Sequence, residues 1–229
     1  MNSHRIDGLL ILVRLAATDE SLDRLHAGIE NDIEEALRTV ERANLGTEDY
    51  LELVMEEESA SVEELLGLAF VAGQVFINNV RSRVAVVSQE FRRAFNRSLS
   101  FVADGDKKAF CVLKIGDSIR TDSPYTAAQL INAIANYWKH EGDWPTCERK
   151  ERGRLLRVWD TARMEKIAQS TVKIVCSIGM TPFSGGNLRK AVDYLEVTDY
   201  RNLSPIRQKL KQWASLVYKT VSGEVARQV

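Results

Sequence analysis

One short segment of the chain gathers side chains suited to acid–base chemistry. Across residues 129–140, Ile131, Ile134, Ala135 and Trp138 fall on one side of a helix at three- and four-residue spacing. Gln129, Asn132, Asn136 and His140 fall on the other. Asn136 and His140 are four apart and so are neighbours on that side. A histidine titrates near neutral pH and can give or take a proton, and Lys139 places a cation next to it in the chain. A helix side open to water more often carries Glu, Lys and Arg, which also favour helix better than Asn or His. An Asn/Gln/His side implies polar groups that meet a partner: another helix, another subunit or a substrate. The alternative is a set of side chains that satisfy buried loop backbone.

A second concentration is basic. Arg149, Lys150, Arg152, Arg154 and Arg157 lie between Trp144 and Trp159, a mixture suited to phosphate and base contacts. A solvated loop anchored by its aromatics has the same composition. Ser184-Gly185-Gly186-Asn187 precedes a short helix; such a loop either holds an anion at the helix start or is a plain turn. It lacks the Gly-Lys-Ser/Thr of a P-loop, and no Gly-x-Ser-x-Gly elbow occurs. His4, His26 and His140 do not pair at helical spacing. Glu30, Glu34 and Glu41 beside His26 imitate a carboxylate metal site, but a charged solvated helix face explains them as well, so neither metal nor cofactor is expected. Cys111, Cys147 and Cys176 are odd in number and form no Cys-x-x-Cys pair, which fits reduced thiols in a cytoplasmic protein.

The run from Ala135 through Asn136, Tyr137, Trp138, Lys139 and His140 to Trp144 resembles the signature region of HEPN-domain proteins. That family consists of all-α bundles, usually dimers, common in toxin–antitoxin and phage-defence systems, and many members are metal-independent endoribonucleases. Their motif is an Arg followed four to six residues later by a His, often with Asn after the Arg. Asn136 and His140 match the Asn and His; Ala135 stands where the Arg belongs, and the nearest upstream Arg is Arg120. The resemblance covers residues 62–180 as a helix pattern and six residues as a motif. It implies a homodimer and an RNA substrate, with His140 as acid or base and Asn136 orienting the histidine or the phosphate. Charge stabilisation then falls to Lys139 or to a loop cation such as Arg149 or Arg152. The missing Arg equally fits an inactive RNA-binding module.

The elements that must position these groups are helical. Periodicity predicts helices over residues 6–17 and 19–43, the second with Leu22, Leu25, Ile29, Ile33, Leu37 and Val40 on one face. A short acidic helix follows over 48–57. A Ser61–Glu64 capping box then opens a long helix to about residue 96, with Leu65, Leu68, Ala69, Ala72, Val75 and Phe76 buried and a bend at Gly67 or Gly73. Residues 103–106 read as a turn, and 110–115 as strand or helix. Ser123-Pro124 starts the helix that carries His140, residues 142–153 read as a polar loop, and further helices cover 161–178, 187–195 and 204–221. The sum is an all-α bundle of about seven or eight helices with a HEPN-like core. It reads as one domain over 1–229, with 1–60 an acidic N-terminal extension and 61–229 the main bundle.

Composition bounds these readings. The 229 residues are 45% hydrophobic and 28% charged, the profile of an ordinary globular protein. The apolar stretch 65–77 is interrupted by Gln74 and falls short of the roughly 20 residues of a membrane span. The 9–17 stretch contains Arg14 and reads as a helix rather than a signal segment. The net charge of −1 conceals a division: residues 1–66 carry −12 and the remainder +11. Near-neutrality therefore leaves room for RNA on the basic part. A second reading is a non-catalytic interaction protein whose acidic N-terminal segment contacts a basic partner.

Overall fold

In the computed structural model, residues 2–44, 46–99, 112–121, 123–151 and 153–228 are described. The turn expected at 103–106, most of the 110–115 segment, Cys111 and Arg152 lie outside them. Helices α1 (Asn2–Ala17), α2 (Ser21–Ala43), α3 (Glu48–Phe95) and α4 (Ala127–His140) come first. Strands β1 (Thr146–Glu151) and β2 (Arg154–Trp159) follow, then α5 (Lys166–Ser177), α6 (Asn187–Tyr194) and α7 (Ser204–Gln228). The protein is thus mostly helical, as its periodicity predicts, with one antiparallel two-stranded sheet.

The expected acidic helix and the long helix after Ser61 are one continuous 48-residue helix, α3. No Gly or Pro interrupts residues 48–66, and a buried seam of Val54, Val62 and Leu66 runs through the expected break. The Ser61 hydroxyl donates to the Glu57 carbonyl at 3.1 Å, the back-bond of a serine inside a helix rather than a cap. By length and composition α3 is apolar enough to cross a membrane, and half of its most apolar stretch is buried within the fold. Of the positions expected inside, Ala69, Ala72 and Phe76 are buried together with Leu66, Phe70 and Ile77, whereas Leu65 is half-buried and Leu68 and Val75 are exposed.

Contacts divide the chain into two compact units. The first takes residues 1–22, 73–129 and 206–229. Its core holds Val13, Ile77, Val80, Val84, Phe91, Leu210 and Val217. The Trp213 indole N–H donates to the Val112 carbonyl at 3.2 Å, and Arg83 donates to the Leu12 carbonyl at 2.9 Å.

The second unit takes residues 23–72 and 130–205. Of the face expected on α2, Leu22 and Ile33 are buried, but His26 and Ala36 are buried beside the expected Leu25 and Leu37, and Leu25 stays exposed. His26 Nε2 donates to the Ala69 carbonyl at 3.1 Å, which lets an imidazole sit in an apolar interior. The neighbouring carboxylates serve as internal acceptors: Glu30 takes the Leu203 N–H, and Glu34 meets Arg38 at 3.0 Å and Arg201 at 3.6 Å.

Helix α4 enters this unit at Leu130. It begins after a Thr126–Gln129 capping box rather than at Ser123-Pro124. The Gln129 N–H reaches the Thr126 hydroxyl at 3.2 Å, and the Thr126 N–H reaches Gln129 Oε1 at 3.1 Å. Beyond the cap, Leu130, Ile131, Ala133, Ile134, Ala135 and Tyr137 are all buried. Gly67 of α3 is where Trp138 of α4 crosses: a Cβ added at Gly67 would lie 2.2 Å from the indole nitrogen. Gly67 is therefore a close-approach residue and not a hinge. Helix α5 ends as expected at Gly179 (φ +80), with the Met180 N–H returning to the Val175 carbonyl at 3.2 Å.

Gly67→Ala is expected to cost about 1–3 kcal/mol by forcing the indole aside. Gly28→Ala, with nothing within 4 Å of the new methyl, is expected to gain about 0.5–1 kcal/mol of helix stability. Urea unfolding of the two variants checks both signs, and a neutral Gly67→Ala would refute the close approach.

Candidate functional site

The C-terminal turn of α4 delivers His140 to the rim of a groove of about 510 Å³. Asn136, His140, Asp143 and Trp144 line one side; Arg163 and Glu165 come from the chain just before α5. His140 Nδ1 lies 3.3 Å from Asp143 Oδ2, an aspartate brought round by the single 3₁₀ turn Glu141–Asp143. With Nδ1 engaged, Nε2 is the nitrogen left for other chemistry. Arg163 ends a second 3₁₀ turn, Thr161–Arg163, and its guanidinium has no acidic partner among the described residues. Glu165 stands at the start of α5, yet its carboxylate makes no capping hydrogen bond.

The polar side of α4 divides by position. Gln129 is buried in the cap; Asn132 and Asn136 are half-buried; His140 is exposed. The groove takes Asn136 and His140 and leaves out Lys139, which is exposed. Ala135, at the place of the family's Arg, is fully buried, so an arginine side chain would have no room there. The cation in this groove is Arg163, which sequence reasoning did not single out. Its signal was faint: a lone Arg 23 positions after His140, brought back by the hairpin between them.

That hairpin occupies the stretch read as a polar loop. β1 and β2 pair from Thr146↔Trp159 to Glu151↔Arg154, around Gly153 (φ +81). Except at its root, both faces are exposed, Leu155 and Leu156 included, so there is no hydrophobic alternation to announce a strand. Arg149, Lys150 and Arg154 are exposed along it; Arg152 lies outside the described residues. Arg157 is held at the root, donating to the Thr146 hydroxyl at 3.0 Å and lying 4.5 Å over the Phe183 ring. Trp159 is buried and packs edge-on against Tyr137 and Trp144, with ring centres 5.9 and 6.1 Å away. The aromatics thus anchor the ribbon.

The Ser184–Asn187 loop has its anion internally. Glu63 of α3 accepts the Leu188 N–H at 2.7 Å in the first turn of α6, where the helix dipole favours a carboxylate. The Asn187 side chain is buried, and its amide donates to the Thr181 carbonyl and the Tyr137 hydroxyl. Burial pushes the Tyr137 phenol far above its ordinary range, and the hydrogen bond to Glu141 adds to this while that from Asn187 opposes it. Among the described residues no group of three or more His, Cys, Asp or Glu is placed to hold a metal ion. Cys147 and Cys176 are free thiols.

No family model, characterised protein or solved structure matches this chain.

An unfolded tyrosine loses its proton near pH ~10, whereas Tyr137 in the folded protein keeps it. Above that pH the unfolded state binds fewer protons, so this group makes stability fall as pH rises. Tyr137→Phe is expected to flatten the alkaline fall in urea midpoints measured between about pH 9 and about pH 11. An unchanged slope would show that the phenol does not carry it.

Proposed function

We propose that the chain binds RNA at the His140 groove and cleaves it next to the 2′-hydroxyl without a metal, as the resemblance to HEPN-domain proteins implies. One observation carries this reading: His140, Glu165 and Arg163 line a single groove beside Asn136. A carboxylate, an imidazole and a guanidinium are the three kinds of group that such a transesterification needs.

In this reading Glu165 takes the proton of the 2′-hydroxyl as its oxygen bonds to phosphorus. The bond from phosphorus to the 5′-oxygen breaks, and His140, in its protonated form, delivers a proton to that leaving oxygen. Arg163 faces the charge that builds on the phosphoryl oxygens, and Asn136 orients the phosphate. Asp143 holds the imidazole by Nδ1. The products are a 2′,3′-cyclic phosphate and a 5′-hydroxyl. Arg149, Lys150 and Arg154 offer a basic track for the flanking strand, because β1 begins two residues after Trp144, itself a groove residue. Binding is then salt-dependent, each phosphate contact adding to the slope.

The test is cleavage of a single-stranded RNA in the presence of EDTA, with the cyclic phosphate as readout. His140→Ala and Glu165→Gln are each expected to slow it by about a hundredfold or more, Arg163→Ala by a similar factor, and Lys139→Ala to leave it unchanged. Full activity in His140→Ala would overturn the assignment. RNA binding without turnover in the unaltered chain would make the groove a binding site alone.

A further inference from the structure

On the other flank of α4 lies a groove of opposite character, about 430 Å³ in volume, between α3 and the loop that precedes α6. Glu56, Glu63 and Glu64 of α3 and Glu141 supply its carboxylates; Tyr137 and Trp138 line it too, and no Lys or Arg does. Two of the four acids are occupied internally. Glu141 accepts the Phe183 N–H at 2.6 Å, and Glu63 accepts the Leu188 N–H and lies 3.7 Å from Arg189. These bonds fix the far wall in place. Glu56 and Glu64 have no cationic partner among the described residues. The helix dipole does not account for them, since its effect is confined to the first turn and both lie well beyond it.

The same side of α3 continues outside the groove. Asp49, Leu53, Glu56, Ala60 and Glu64 follow at three- and four-residue spacing and form one stripe. Leu53 is 55% exposed and its neighbour Tyr50 54%. At 1.5 Å per residue the stripe is ~22 Å long, the reach of about seven residues of extended chain. A compact cation leaves most of that length and the apolar side chains unused. A Lys or Arg side chain can lay its stem on Trp138 and Ala60 and its charge against Glu56 or Glu64.

We propose that this groove and stripe dock a partner protein through an extended segment in which Lys and Arg alternate with apolar residues. Charge complementarity selects the cations, and Tyr50 and Leu53 take the apolar residues. The surface is distinct from the His140 groove and does not rest on the RNA reading.

The probe is a fluorescein-labelled peptide of about twelve residues alternating Lys and Arg with Leu, titrated into the full chain and followed by anisotropy. Binding is expected to weaken about tenfold between about 50 and about 300 mM salt. It is also expected to weaken at least about tenfold in the double variant Glu56→Lys/Glu64→Lys, but not in Asp32→Lys/Glu41→Lys on α2, which adds the same charge elsewhere. Thermal melts confirm that both variants are folded. Equal loss in the two variants would reduce the effect to diffuse attraction and overturn the proposal. So would binding of a peptide with Ser in place of Leu as tightly as the probe, which would leave Tyr50 and Leu53 without a role. A chain that dimerises at low salt and loses the dimer in Glu56→Lys/Glu64→Lys would replace the partner protein with a second copy.

Discussion

The approach of α4 to α3 at Gly67 is the contact on which the second unit depends. An indole lies where any other residue would project a side chain, so the register between the two helices has little freedom. From that register follow the burial of α4 around most of its circumference and the position of its last turn. His140 and Glu141 are consecutive, yet they serve different surfaces. One closes on Asp143 beside Arg163; the other holds the loop before α6 through the Phe183 N–H. A shift of α4 by a fraction of a turn would disturb both.

The helical class, the end of α5 at Gly179 and the place of Asn136 and His140 on the same side of α4 were legible because each rests on local signals: period, cap residue, four-residue spacing. The failures have physical causes as particular as the successes. Ser61 followed three residues later by Glu64 satisfies the pattern of a capping box, but a serine that back-bonds to Glu57 satisfies the same letters inside a continuous helix. Thr126 and Gln129 form the box that exists, in a pair passed over in favour of Ser123-Pro124. The hairpin escaped because it has solvent on both faces. Arg163 and Glu165 escaped because the groove they line with His140 is formed by segments some 23 residues apart in the chain.

The division of charge along the sequence is partly resolved in the folded chain. Glu30, Glu34 and Glu63 from the acidic part are used by groups of the basic part: the Leu203 N–H, Arg201, the Leu188 N–H and Arg189. Within the basic part itself Arg201 also pairs with Asp199 at 3.0 Å and holds the Asp199 carboxyl below its usual range. Such exposed pairs contribute little each; their effect is to orient segments. Of the acids left over after this internal use, Glu48, Asp49, Glu52, Glu56 and Glu64 follow one another along the N-terminal half of α3, and Asp32 and Glu41 stand exposed on α2.

The hairpin draws its order from one end. A two-stranded ribbon wetted on both sides has little stability of its own in water, and its opposed Glu148–Arg157 and Glu151–Arg154 positions add only tenths of a kcal/mol. What holds it is the seat of Trp159 among Tyr137 and Trp144. Amide protons near Gly153 should therefore exchange with solvent orders of magnitude faster than those beside Trp159. A change that unseated that one indole would release Arg149, Lys150 and Arg154 from their places without altering any of them.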